Sequence, residues 1–162
     1  MDIDRRFALV IASVMAVGCT LNMPRAQKNS VFDPVATAKL RAGEIAREIS
    51  GSRRDTSVPE PSRDEMFNTG LLLQAGLRAL LPVEQRPGIA LPGTPSPSDP
   101  AELVLAQENY KAVFESGTEA TPTQKATALK SIELATGQLQ KAGYTSLAAA
   151  VADWLRTQRP AQ

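Results

Sequence analysis

The sequence predicts a mainly α-helical protein, a small helical bundle of four to five helices, on three observations. Ala and Leu dominate the apolar residues and aromatics make up only 4% of the 162 residues, a composition that suits close-packed helices better than β-sheets. Proline follows a side-chain acceptor at Asp33-Pro34, Asp99-Pro100 and Thr121-Pro122, as at many helix starts. No segment alternates apolar and polar residues as a half-buried strand would.

The first two helices are predicted before the middle of the chain. The first covers about residues 34–49, where apolar residues recur every three or four positions and form one stripe: Val35, Ala38, Ala42, Ile45 and Ile49. The second covers about residues 63–81, and Ser62 with Glu65 forms a capping box at its start. It contains "GLLLQAGLRALL", which is apolar on nearly every side. We therefore expect the second helix to be the buried one.

Three more helices follow a proline-rich linker at residues 82–99. The third covers about residues 100–115, the fourth about 122–142 with Gly143 as its stop, and a short fifth about 146–156. Each has an apolar stripe, and the fifth includes Trp154, whose spacing from its apolar neighbours favours core packing over an interface.

The amino terminus has the features of an export signal. Arg5 and Arg6 precede an uncharged apolar run at residues 7–17, which is shorter than the roughly 20 residues that span a bilayer. It fits the apolar region of a secretory signal peptide. Ala16-Val17-Gly18-Cys19 resembles the lipobox of bacterial lipoproteins, with Ala16 where that family most often has Leu.

The resemblance implies cleavage between Gly18 and Cys19, a diacylglycerol on the cysteine sulfur and a fatty acid such as palmitate on the new amino group. Several acyl chains, at about 0.8 kcal/mol per buried CH₂, make a durable membrane anchor. Thr20 after the cysteine implies the outer membrane, with the chain facing the periplasm. Two alternatives stay open: an ordinary cleavage site on a soluble periplasmic protein, and an uncleaved leader buried in a cytoplasmic one.

The chain is therefore divided into five predicted parts. These are a cleaved signal peptide (1–18), a flexible lipidated tether (19–32), a first helical pair (33–81), the proline-rich linker (82–99) and a second helical set (100–157). Residues 33–157 are either one domain or two lobes.

The residue inventory excludes several kinds of chemistry. A net charge of +1 without long charged blocks lacks the basic footprint of a nucleic-acid binder. With no histidine and one cysteine, no intramolecular disulfide and no Cys/His zinc site forms. No catalytic motif is recognised, and we assign no catalytic residue, metal or cofactor. Glu44 and Glu48, with Arg41 and Arg47 nearby, are predicted to form a solvated ion-pair face.

The sequence favours a lipid-anchored cell-envelope protein that acts by contact, as an accessory or structural component with a protein partner. Candidate partner contacts are Arg53 and Arg54 and, in a linker that also suits a plain spacer, Pro92, Pro95 and Pro97. One alternative is a periplasmic enzyme or small-ligand carrier with a carboxylate-lined pocket between helices. Another is a component of export or conjugation machinery. Acids converging in a concave pocket would favour the enzyme or carrier, and an exposed apolar patch would favour contact.

Overall fold

A computed structural model describes residues 32–87 and 98–159. Within these ranges it contains six α-helices and a short 3₁₀ turn at Val83–Gln85. The helices are α1 (Pro34–Lys39), α2 (Ala42–Ser50), α3 (Arg63–Leu80), α4 (Ala101–Ser116), α5 (Pro122–Lys141) and α6 (Thr145–Gln158). The described part has no strand, so the predicted mainly helical bundle is confirmed.

Helix α3 occupies the centre of the bundle. Every residue from Thr69 to Ala79 is buried, and α3 contacts α1 and α2 on one side and α4 and α5 on the other, while α6 packs on α5. The approach of α3 to α5 is close at Gly76, where an added Cβ would lie 2.8 Å from the Ala128 carbonyl oxygen. The second predicted helix is thus the buried one, and both helical sets share its core.

Local hydrogen bonds explain where the helices begin. The Asp33 side chain accepts from the backbone N–H groups of Val35 and Ala36 at 3.0 Å. Ser62 with Glu65 forms a reciprocal capping box, as predicted, and Thr121 with Gln124 forms another. Helix α4 begins one residue after the predicted proline, with Pro100 in the cap position. These contacts pair backbone donors that a helix start otherwise leaves unpaired.

The first predicted helix is wrong in one respect, because it is two helices separated at Leu40, whose backbone is extended. Two side chains of α3 donate hydrogen bonds to backbone carbonyls at this break. Arg78 Nε donates to the Ala38 carbonyl at 2.7 Å, and the Leu40 carbonyl accepts from Arg78 Nη2 and Gln74 Nε2, each at 3.0 Å. Such long-range hydrogen bonds leave no periodic signal in the sequence.

Glu44 and Glu48 also differ from the prediction. Glu44 Oε2 accepts from the backbone N–H of Arg41 at 2.7 Å and so helps to start α2. Neither glutamate belongs to an ion pair within the described ranges, so the predicted ion-pair face with Arg41 and Arg47 does not form there. Capping stabilises the new helix start created by the break at Leu40.

Trp154 lies at the margin of the core. It is partly buried, and its ring meets Phe32 edge-on with a centroid distance of 5.8 Å. This contact fastens the beginning of the described chain to α6. No described helix combines the length and the apolar character that crossing a membrane requires.

Candidate functional site

One concave feature of the described residues is a groove of about 870 Å³ that we call the α3/α5 groove. It lies among the first half of α3, the start of α4, the second half of α5 and the loop at residues 59–61. Its size falls within the roughly 300–1,000 Å³ of typical ligand sites. The lining residues are Pro59, Glu60, Pro61, Glu65, Met66, Asn68, Thr69, Leu72, Pro100, Glu102, Leu103, Lys130, Glu133, Leu134, Gly137, Gln138, Lys141 and Ala142.

Helix α5 supplies the longest wall of the groove. Its lining residues recur every three or four positions from Lys130 to Ala142 and therefore share one face. At 1.5 Å per residue this face runs for about 18 Å. The groove is elongated and follows the axis of a helix for about three turns.

The loop wall is held against the end of α5 by backbone contacts. Asp55 N–H donates to the Gly143 carbonyl at 2.8 Å, and Gly143 takes a positive φ of 88°. A Cβ at Gly143 would lie 2.6 Å from Val58 Cγ2, so only glycine permits this close approach. Arg54 Nη1 donates to the Val58 carbonyl at 2.9 Å, a hydrogen bond within the same loop. The loop contacts place residues 59–61 beside α3 and α5.

The floor of the groove is apolar except for one side-chain hydrogen bond, which joins Thr69 to Gln138. Met66, Leu72 and Leu103 are buried and Leu134 is partly buried. The Thr69 hydroxyl lies 2.7 Å from Gln138 Oε1 and 2.8 Å from the Glu65 carbonyl oxygen. Since a hydroxyl has one proton to donate, it serves one of the two acceptors at a time. Apart from the hydrogen-bonded Thr69 and Gln138, the floor presents apolar side chains.

Charged residues stand at the rim and walls. The lining includes four glutamates and two lysines, a net charge of −2, whereas the whole chain carries +1. Glu133 Oε1 accepts from Arg159 Nη2 at 2.6 Å. Glu60, Glu65 and Glu102 have no ion-pair partner among the residues the structure describes. The groove is an acidic feature on a nearly neutral protein.

One of the four lining glutamates, Glu65, has a structural role. Glu65 caps α3, and its hydrogen bonds with Ser62 lower the pKa of its carboxyl below the ordinary 4.5. General acid catalysis near neutral pH needs the opposite shift. Within residues 32–87 and 98–159, no three His, Cys, Asp or Glu residues gather closely enough to hold a metal ion.

Gly137 is the one lining residue without a side chain. It lies inside α5 with no positive φ, and a Cβ built on it would meet no atom within 4 Å. Glycine in a helix interior costs about 0.5–1 kcal/mol relative to alanine. The packing of the described residues does not require glycine here, so this cost has no structural reason within the fold.

Large apolar side chains outside the groove are exposed on separate elements. Val35 lies on α1, Phe67 on α3, Val83 on the 3₁₀ turn and Leu105 on α4, with between 37% and 55% of each exposed. Scattered exposed apolar residues are normal on protein surfaces. We therefore take the groove, with its continuous apolar floor, as the candidate site.

Of the residues predicted from sequence as functional, Arg53 and Arg54 lie in the described ranges, and neither of these two lines the groove. Gly18, Cys19, Pro92, Pro95 and Pro97 lie outside the described residues. Arg54 binds loop carbonyls, including that of Pro59 at 3.3 Å, and Arg53 is exposed. Their role as partner contacts stays a prediction.

Sequence reasoning missed the groove because four separate segments build it. Gly137, an isolated glycine within a helical pattern, was visible in the sequence, where such a glycine costs about 1 kcal/mol relative to alanine. Comparison with protein-family models, curated proteins and solved structures gives no match.

Proposed function

We propose that this chain is a lipid-anchored cell-envelope protein that acts by contact, as an accessory or structural component of an envelope assembly. Cys19, acylated after cleavage behind Gly18, would hold it in the outer membrane facing the periplasm. The lipobox-like residues 16–19 support the anchor. The groove supports contact as the mode of action.

The composition of the groove is the observation that carries the contact proposal. Its floor is apolar and its carboxylates stand around that floor, with Glu65 used in a helix cap and Glu133 paired with Arg159. Apolar surface within a charged rim is the usual anatomy of a protein-binding site. The helix cap and the ion pair give two of the four glutamates structural roles, which supports contact as the mode of action.

The tether sets how far the bundle reaches from the membrane. The 13 residues from Thr20 to Phe32 would span about 20 Å if they form a flexible coil and about 45 Å if they are fully stretched. Phe32 is packed on Trp154, so the tether leaves the bundle beside α6. The bundle would meet partners close to its own membrane.

The size of the groove favours a second candidate, a small-ligand carrier. About 870 Å³ of partly enclosed space with an apolar floor suits a ligand of drug-like size. A carrier would bind its small ligand without a protein partner. A binding experiment therefore distinguishes a carrier from a protein that acts by contact.

Metabolic labelling with a fatty-acid analogue tests the anchor. We expect label on the wild-type chain and none on Cys19→Ser, because the acyl chains are attached at that residue. In the same cells, crosslinking should join the wild-type chain to an envelope protein. Equal labelling of both chains would refute the anchor, and label without any crosslinked protein would count against contact.

A further inference from the structure

We propose that the α3/α5 groove binds an amphipathic helix of a partner protein, with basic residues flanking its apolar face and its backbone closest to the groove at Gly137. This inference rests on the proposed contact function and names the chemistry of the partner. It does not depend on the lipid anchor.

The walls of the groove select a helix over an extended peptide. They are formed by helices and one loop, and the part of the chain that the structure describes has no strand. An extended segment would find no sheet edge to pair with, and its backbone groups would lose water without gaining partners. Proline-rich peptides bind grooves lined by aromatic rings, and no aromatic residue lines this one. A helix satisfies its own backbone and needs only apolar surface.

The dimensions of the groove match a short helix. The lining face of α5 extends for about 18 Å, which corresponds to about 12 residues of a helix laid beside it. Helix axes pack at about 8–10 Å, depending on the side chains at the contact. The occupant would place apolar side chains at positions i, i+3, i+4 and i+7 on Met66, Leu103 and Leu134.

Gly137 gives the second, independent observation. Gly137 is exposed to solvent, so nothing in the described fold fills the space where its Cβ would be, yet glycine there weakens α5. A residue without a side chain lets another backbone approach closely. Gly137 lies in the middle of the lining face of α5, where a docked helix would come nearest.

The charge of the groove determines the sign of the charge that a partner helix should carry. The lining carries a net −2, and Glu60 and Glu102 have no ion-pair partner among the described residues. These two glutamates belong to different walls, the loop and the first turn of α4. Lysine or arginine on either flank of the docked helix would therefore meet an unpaired carboxylate, with an attraction that salt screens.

Selection of peptides against the folded protein tests the proposal. The target is the full mature chain with Cys19→Ser, so that no acyl chain takes part, and the probe is a phage library of random peptides of about 16 residues, slightly longer than the groove. We expect the enriched peptides to carry a helical apolar stripe and net positive charge. Their affinity, measured by fluorescence anisotropy, should fall as salt rises.

Matched glycine variants then locate the binding site. Gly137→Leu fills the open space and should reduce peptide affinity at least about tenfold, equivalent to about 1.4 kcal/mol. Gly43→Ala is the control, because Gly43 is another helical glycine, outside the groove, whose added Cβ would make an ordinary contact 3.9 Å from Phe67. It should leave the affinity unchanged. Thermal melting of both variants shows that they are folded.

Several outcomes would overturn the proposal. Enrichment of acidic or proline-rich peptides would do so, and so would no enrichment at all. The proposal would also fail if the peptide affinity were unchanged both by Gly137→Leu and by the double charge reversal Glu60→Lys with Glu102→Lys. A small molecule or fatty acid that binds the groove when no peptide does would favour the carrier. Because the target carries no lipid, none of these results bears on the anchor, which the labelling experiment tests separately.

Discussion

Replacement of Arg78 by methionine should destabilise the protein through the break between α1 and α2. Arg78 is only 1% exposed, and its guanidinium donates to the carbonyls of Ala38 and Leu40. It also lies 5.9 Å from the centre of the Tyr110 ring. Methionine keeps much of the length of the side chain and removes both the charge and the donors.

The magnitude follows from what the substitution leaves behind. The Ala38 carbonyl loses its donor within the core, at a cost of about 1–3 kcal/mol. The loss of the cation above Tyr110 adds up to about 2 kcal/mol. Methionine recovers part of the cost of burying a charge, yet the buried carbonyls remain, so we expect a net loss of about 2 kcal/mol in the free energy of unfolding.

Gln74 provides an internal control because it shares the Leu40 carbonyl with Arg78. Gln74→Leu alone should cost about 1 kcal/mol, since Arg78 still serves that carbonyl. The double variant leaves Leu40 without either donor and should cost about 1 kcal/mol more than the sum of the single changes. Chemical denaturation followed by circular dichroism measures all four proteins. An Arg78→Met variant as stable as wild type, or additive effects, would mean that these hydrogen bonds do not stabilise the break at Leu40.

Three further predictions concern single positions. Gly70→Ala should destabilise by about 1–3 kcal/mol in denaturation experiments, because its Cβ would lie 2.5 Å from the Ala42 carbonyl oxygen; unchanged stability would mean that α2 packs less closely on α3. Gly137→Ala should stabilise the chain by about 0.5–1 kcal/mol, and a lower melting temperature would contradict the open space found at its Cβ. The Glu65 carboxyl has a pKa below the ordinary 4.5 in the folded protein. Its contribution to stability is therefore fully present above about pH 4.5 and is lost as the pH falls through the folded pKa. The advantage of wild type over Glu65→Gln in melting temperature should therefore shrink as the pH falls below about 4.5, and a constant advantage would contradict this.

Local patterns predicted much of the fold because local chemistry determines it. The cap at Asp33 and the capping boxes at Ser62 and Thr121 depend on residues two or three positions apart, and all three form. Helix α3 is apolar on nearly every side, which requires contact on every side, and it lies in the centre. Periodicity failed at Leu40, where the apolar stripe continues through the break and only Gln74 and Arg78, more than thirty residues away, reveal it.

The candidate site was far less predictable than the fold. The groove depends on the distances among α3, α4, α5 and a loop, and no local pattern encodes them. Gly137 was visible in the sequence, yet its meaning depends on the empty space beside it. Arg54 donates to carbonyls of its own loop, a local role that the sequence did not indicate, and its part in a partner contact stays a prediction.

The mass of the amino-terminal peptide of the mature chain is the most direct test of the proposed lipid anchor at Cys19. Cells expressing the protein would be separated into membrane and soluble fractions, and the peptide would be identified by mass spectrometry. We predict a membrane-bound chain that begins at Cys19 and carries a diacylglycerol and an amide-linked fatty acid. A soluble chain that retains Met1, or one that begins at an unmodified Cys19, would contradict the account.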